Sequence, residues 1–327
     1  MPREPRYVPP DSLQHITDVL FQNRLLLLPS EELNRRFVGV LARAARKHEM
    51  EVVAVAVLAT HYHLLLRPRD AEHLAEFMRY LKTNLSKEIG TRLRGWDSYL
   101  FDGRFHNVTV SDEEEAQVRA LLYVLAQGTK EFLVDRVLDW PGVHCARSLM
   151  EGTPLEGEWF DRTAERKARA RKGGESVSEE DFASTESLLF AKLPCWEHRS
   201  DEAYRAAVAE LVAEVDRRAA AERAATGRRS MGVEAILALD PEKRLRNAKR
   251  SPKRRFHTAS REMLEKLTEA WSAVLAAYRE ASARLREGVR DVEFPEGTFP
   301  PSLPFVPFSR TTSRQMPGTE LARGQPA

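Results

Sequence analysis

The sequence predicts an α+β fold: an antiparallel-rich sheet with flanking helices over residues 1–150, followed by a mainly helical C-terminal extension. Three observations lead there. β-rich runs and amphipathic stretches follow one another in the order β-β-α-β-β-α-β-α, which suits an antiparallel-rich sheet better than a doubly wound parallel one. No GxGxxG or GxxxxGKS stretch is present, which argues against phosphate binding by such loops. Beyond residue 200, apolar residues recur at three- and four-residue spacing over two long stretches.

The elements follow in chain order. Leu13–Leu20 and Arg24–Leu28 read as strands, with Gln22 and Asn23 as the turn between them. Ser30 is placed to cap a helix, with Glu31 and Glu32 in its favourable first turn. Leu33, Phe37, Val40, Leu41 and Ala44 give that helix its apolar stripe. Glu51–Leu58 and His61–Leu66 are two further β-rich runs. Helix 70–89 carries Leu74, Phe77, Met78, Leu81 and Leu85 on one face, and Arg79, Lys82, Asn84 and Lys87 on others. Phe105–Val110 is another strand. Ser111 and Glu114 form an S-x-x-E capping box that opens helix 112–127, ended by Gly128.

Residues 151–200 read as a basic segment and linker, with a basic run at 166–172 and an acidic, Ser-rich stretch at 175–186. Residues 201–290 form a helical extension with helices at 201–225 and 261–286, the second striped by Leu264, Leu267, Trp271, Val274, Tyr278 and Leu285. Between them, 243–255 holds eight basic residues and no acidic one. Residues 291–327 read as a Pro-rich, disordered tail.

Composition bounds the function. Lys plus Arg number 51 and Asp plus Glu 49, so positive charge must act through local patches. Two cysteines, Cys145 and Cys195, make no disulfide framework and lack zinc-site spacing. The N-terminus has no apolar stretch of signal-peptide type, and no run reaches the length of a membrane span. A cytoplasmic protein without membrane contact is expected.

The sharpest local signal is His61-Tyr62-His63. Residues i and i+2 of a strand share a face, so His61 and His63 project side by side and can share a divalent metal. Two ligands are too few, and the third must come from elsewhere. The competing account is two unrelated histidines on a half-exposed strand. On helix 112–127, Val118, Leu121, Leu122 and Leu125 cluster on one face, and Tyr123 lies roughly 150° from its centre. Gln127 and Arg119, one turn on either side, share the tyrosine's face. Arg104 stands between aromatics in Phe101-Asp102-Gly103-Arg104-Phe105. Together these fit one mechanism. A metal held by His61, His63 and Gln127 polarises a scissile phosphate, Tyr123 attacks phosphorus, and Arg104 and Arg119 balance the extra negative charge.

At these residues the sequence resembles the REP-associated tyrosine transposases, of the HUH single-tyrosine transposase superfamily. His61-Tyr62-His63-Leu64-Leu65-Leu66 is similar to the family's His-hydrophobic-His strand. Gly103-Arg104-Phe105 resembles its G-R-F/Y element, Tyr123 matches the nucleophile, and Gln127 matches the polar metal ligand four positions on. Phe132-Leu133-Val134 and Asp139-Trp140-Pro141 resemble the tail of that region. The resemblance covers roughly residues 12–150. It implies an HUH transposase-like sheet with ferredoxin-like βαβ elements and Mg²⁺ or Mn²⁺ as the metal. It also implies single-stranded DNA, commonly a palindromic hairpin, as substrate, and a monomer or homodimer. Two departures stand out. Gln127-Gly128 replaces the usual Asn-Pro, and His15-Ile16-Thr17 is followed by Asp18 where an arginine is usual, a DNA contact that Arg24 can supply instead. Lys82 and the basic runs at 166–172 and 243–255 are candidates for tracking phosphates. The expected activity is a transposase-like DNA strand transferase working through a 5′-phosphotyrosine intermediate. The alternative is a non-catalytic DNA-binding regulator on a transposase scaffold.

Overall fold

The computed structural model describes residues 4–90, 92–93, 99–171, 177–241, 243, 254–289 and 291–301. The basic cluster at 244–253 and the tail at 302–327 lie outside the described residues.

In chain order the elements are β1 (Leu13–Val19), α1 (Glu31–His48), β2 (Glu51–Leu58), β3 (His61–Arg67), α2 (Ala71–Gly90), β4 (His106–Val110) and α3 (Glu114–Leu125). There follow α4 (Ala146–Glu151), β5 (Leu155–Phe160), α5 (Arg162–Arg171), β6 (Ala183–Leu188), α6 (Asp201–Thr226), α7 (Val233–Leu237), β7 (Phe256–His257) and α8 (Arg261–Arg286). The main sheet has the order β2-β3-β1-β4-β7. Every pairing in it is antiparallel except β4 with β7. The fold is therefore α+β, with a mainly helical C-terminal part, as the element order predicts.

Strand alternation sorts the helices onto two faces. Ile16, Asp18, Tyr62 and Leu64 point to the side of α1 and α2: Tyr62 packs edge-on against Phe37 of α1, and Asp18 pairs with Lys82 of α2. His15, Thr17, His61 and His63 point to the opposite side, where α3 lies. The rings of His15 and His63 both contact Tyr123. Both faces are covered, which is why β2 and β3 read as near-continuous apolar runs and not as clean alternation. The outer edge of β2 is also closed. Val57 and Ala191 donate to the carbonyls of Val143 and Val52, and Cys145 donates to that of Val55.

Several expectations change. Arg24–Leu28 is not a strand. Gln22 and Asn23 take left-handed backbone angles, and Leu25, Leu26 and Leu27 are all buried, so the run folds under the sheet edge as a turn and has no alternating face. The Ser111/Glu114 capping box does not form, and α3 starts at Glu114. The Ser111 hydroxyl donates to Glu113, whose carboxylate instead accepts the backbone N–H groups of Ala259 and Ser260 at the start of α8. Glu114 accepts the Trp196 indole N–H at 2.7 Å.

Within 151–200, where a linker is expected, β5 and β6 pair antiparallel on either side of α5 in sequence, and both pack against α1. Two glycines make that contact. A Cβ on Gly39 would stand 2.0 Å from the Glu158 carbonyl oxygen, and one on Gly157 would stand 2.2 Å from the Gly39 nitrogen. Backbone meets backbone there, with no room for a side chain. On α8 the striped residues are mostly half-buried, Trp271 alone of them is buried, and Leu264 is exposed. The helix forms as the spacing predicts, but its stripe lies at the surface. Among the described residues, no helix is long and apolar enough to cross a membrane.

Candidate active site

Register places the first residues of the site. In the antiparallel β1–β3 pair, Thr17 faces His63 and Val19 faces His61, which brings His15 diagonally beside His63. The His61 and His63 ring centroids are 4.8 Å apart, and those of His15 and His63 are 5.1 Å apart. Hydrogen bonds orient each imidazole. His61 Nδ1 lies 2.8 Å from the Thr60 hydroxyl, and His63 Nδ1 lies 3.1 Å from the Thr17 hydroxyl and 3.0 Å from His15 Nε2. Engaging Nδ1 leaves Nε2 as the ligating nitrogen, the arrangement in which a neighbouring group fixes the tautomer of a metal-binding histidine.

α3 supplies the rest. Its buried stripe is Ala116, Gln117, Ala120, Leu121, Val124 and Leu125, rotated from the expected one. Val118 and Leu122 are only half-buried. Small alanines at 116 and 120 let the helix lie close to the sheet, and the bulkier pair turns toward α6. Tyr123 remains off the core face, 43% exposed. One side of its ring meets His15 and His63 at centroid distances of 5.3 and 5.4 Å. Gln127 is buried one turn on, with Nε2 donating to the Tyr123 carbonyl at 2.7 Å. The i, i+4 spacing thus places the Gln127 amide against the backbone carbonyl of Tyr123.

The donor set can be tested for a metal. His63 Nε2 and Gln127 Oε1 are both buried and without a hydrogen-bond partner. Leaving such groups unpaired costs on the order of 1–3 kcal/mol each, so they mark places where a ligand would be accepted. Burial holds His15 down to about 3 and His61 down to about 4. His63 is lowered well below the ordinary range by burial and then by its two histidine neighbours. All three are neutral near pH 7, the state that ligates. Among the described residues, no group of three His, Cys, Asp or Glu side chains could hold a metal ion. A set of two histidines and one glutamine is of a different composition, and its unpaired atoms fit the group.

The four arginine and lysine candidates separate. Arg119 lines a groove with Tyr123, although it also pairs with Glu115 and donates to the Ala259 carbonyl. Lys82 lies across the sheet, 2.9 Å from the buried carboxylate of Asp18, and it donates to the Gly103 carbonyl. Arg104 is exposed and lines a separate cavity of about 330 Å³ with Arg6, Phe105 and Tyr278. Arg24 lies in the turn after β1, with its Nε donating to the Gln22 side chain. Three residues around His63 and Tyr123 escaped the sequence reading as site members. His15 and Thr17 share the period-two spacing of His61 and His63, which was the available signal. Lys130 had none: its ammonium stands 3.6 Å from the Tyr123 ring centroid because the chain turns after α3, with Gly128 at φ +93° and the Lys130 N–H donating to the Ala126 carbonyl.

Residues 19–127 match the family model described as "Transposase IS200 like". The chain is thus similar to the IS200-like transposases over about a third of its length. His61, His63, Tyr123 and Gln127 all fall inside the matched span. Among solved structures, the chain is similar to a REP-associated tyrosine transposase bound to a REP hairpin, at 19% identity and a TM-score of 0.39, covering 46% of this chain and 87% of that one. It is also similar to a Deinococcus radiodurans R1 protein assigned as a transposase, at 20% identity and a TM-score of 0.27, covering 34% and 88%. No curated protein sequence matches the chain. The matched span ends at Gln127, just after α3, so α4 to α8 lie beyond it.

Proposed function

We propose that the part of the chain matched by the transposase family model, with the site built around Tyr123, is a metal-dependent DNA strand transferase of the REP-associated type. It cleaves and rejoins single-stranded DNA, at repeat hairpins, through a 5′-phosphotyrosine intermediate. One observation carries this reading: half-exposed Tyr123 packs its ring against His63, whose Nε2 is buried and unpaired and whose ring lies beside that of His61, the other histidine of the His-x-His strand.

His61, His63 and Gln127 would hold the Mg²⁺ or Mn²⁺. Bound there, the metal supplies Lewis-acid polarisation of the scissile phosphate. The chain's own residues do the rest. Tyr123 Oη forms a bond to phosphorus, and the bond from phosphorus to the 3′-oxygen breaks. The phenolic proton lost is balanced by the one taken up on the leaving 3′-oxygen. The product is a 5′-phosphotyrosine link and a free 3′-hydroxyl, and the covalent link keeps the phosphoester available for rejoining. Lys130 over the Tyr123 ring offers positive charge where the phosphate gains negative charge. His15 and Thr17 hold the His63 ring in place.

The test is covalent adduct formation with labelled repeat-hairpin oligonucleotides in the presence of Mg²⁺ or Mn²⁺. The parent chain should form a protein–DNA adduct, and Tyr123→Phe should form none. An adduct that survives Tyr123→Phe removes this tyrosine as nucleophile. Binding without any adduct in the parent chain would make the protein a DNA-binding regulator on a transposase scaffold.

A further inference from the structure

The exposed side of Tyr123 opens onto a groove of about 400 Å³ between α3 and α6. Its other surroundings are taken: His15 and His63 contact the ring, and Lys130 stacks on its face. A strand bringing a phosphate to Tyr123 Oη therefore runs along this groove. One wall is α3 and the turn after it, with Arg119 and Lys130. The other wall is α6, with Arg218, Ala219 and Glu222. α6 lies beyond the matched transposase span, so part of the site's surface comes from the extension.

We propose that α6 is a wall of the DNA-binding groove, in which Arg218 holds a backbone phosphate of the strand presented to Tyr123 and Glu222 limits its affinity. This rests on the strand-transfer reading above. Arg218 suits the role. Its side chain is 67% exposed, and Glu214 engages its Nε at 2.5 Å, which steadies the guanidinium. Ala219 leaves space beside it. Glu222, one turn on from Arg218, is exposed and repels phosphate. The neighbouring Arg217 does not line the groove, although it is equally exposed and also pairs with Glu214.

The experiment uses the full chain carrying Tyr123→Phe and a fluorescein-labelled, mixed-sequence single-stranded oligonucleotide, with Kd read by anisotropy across a salt series. Arg218→Glu should raise Kd about fivefold or more and reduce the salt slope by roughly 0.7, the loss of one phosphate contact on a single strand. Glu222→Lys should lower Kd and steepen the slope. Arg217→Glu, beside the groove but not in it, should stay near the parent, and all three should keep the parent's melting temperature. The proposal is overturned if Arg218→Glu and Glu222→Lys both bind within about twofold of the parent, if they shift in the same direction, or if Arg217→Glu matches Arg218→Glu. The adduct assay on the chain with Tyr123 intact separates the two readings. An adduct with unmoved Kd values leaves strand transfer standing and removes the α6 wall. Opposite shifts without an adduct leave a DNA groove without the chemistry.

Discussion

Gln127 joins two roles in one side chain: its Nε2 is spent on the Tyr123 carbonyl, and its Oε1 is buried and unpaired. Gln127→Leu keeps the volume and removes the oxygen. It should reduce metal-dependent adduct formation by about 10- to 100-fold or more, while single-strand binding by anisotropy stays near the parent value. Equal activity would take Gln127 out of the ligand set. At this scale much of the site was legible. His61 and His63 share a face because strand alternation is a local property. Tyr123 and Gln127 share a face because helical spacing is local too. Lys130 was illegible because its approach to Tyr123 depends on the turn through the left-handed backbone of Gly128, and residue spacing carries no record of that.

Elements were legible where one face meets one core. α1, α2, β2 and β3 fall where the apolar periodicity puts them, and Ser30 caps α1 by accepting the Leu33 N–H at 3.1 Å. The periodicity misled where tertiary partners claimed the residues. At α3 the Ser111 hydroxyl turns to Glu113, whose carboxylate caps α8, and the β5–β6 pair forms where two glycines let β5 touch α1 backbone to backbone. Gly39→Ala should destabilise the chain by at least about 1–3 kcal/mol in a denaturant titration, since the added carbon must displace the β5 backbone. Lys82 makes a second case. Its ammonium neutralises Asp18, which is buried, takes the Tyr62 hydroxyl and is raised by that burial. Lys82→Met should therefore lower the melting temperature more at pH 7, where Asp18 would be left charged, than at pH 4, where protonation relieves it. Equal losses at both pH values would mean that the pairing contributes little.

At the scale of the whole molecule, a network of charges joins segments far apart in sequence. Arg36 of α1 and Glu88 of α2 are both buried and paired, and Arg162 of α5 binds Glu88, Glu165 and Glu179. Glu179 also accepts from Arg36 and Arg92. Burial alone would raise the Glu179 carboxyl, but hydrogen bonds from Arg162, Arg92 and Arg36 outweigh it and hold the group at about 2. A folded-state value below the unfolded one adds stability above the ordinary carboxylate range, and that stability fades as pH falls from about 4.5 toward 2. Melting temperature should drop across that window, and Glu179→Gln should flatten the drop while costing stability at pH 7. An unchanged profile in Glu179→Gln would place the acid sensitivity elsewhere. None of this network could be read from composition, since near-equal counts of acid and base say nothing of who meets whom. The sheet carries a consequence for how the chain can be divided. β7, more than a hundred residues downstream, hydrogen-bonds along β4 as the sheet's last strand. Cutting the chain after α4 would strip that strand away and leave the edge of β4 open, a template for pairing with another molecule. The segment that looks like an appendage on the linear sequence is a cover in space, and a fragment ending after α4 should aggregate, by light scattering, at concentrations where the full chain does not.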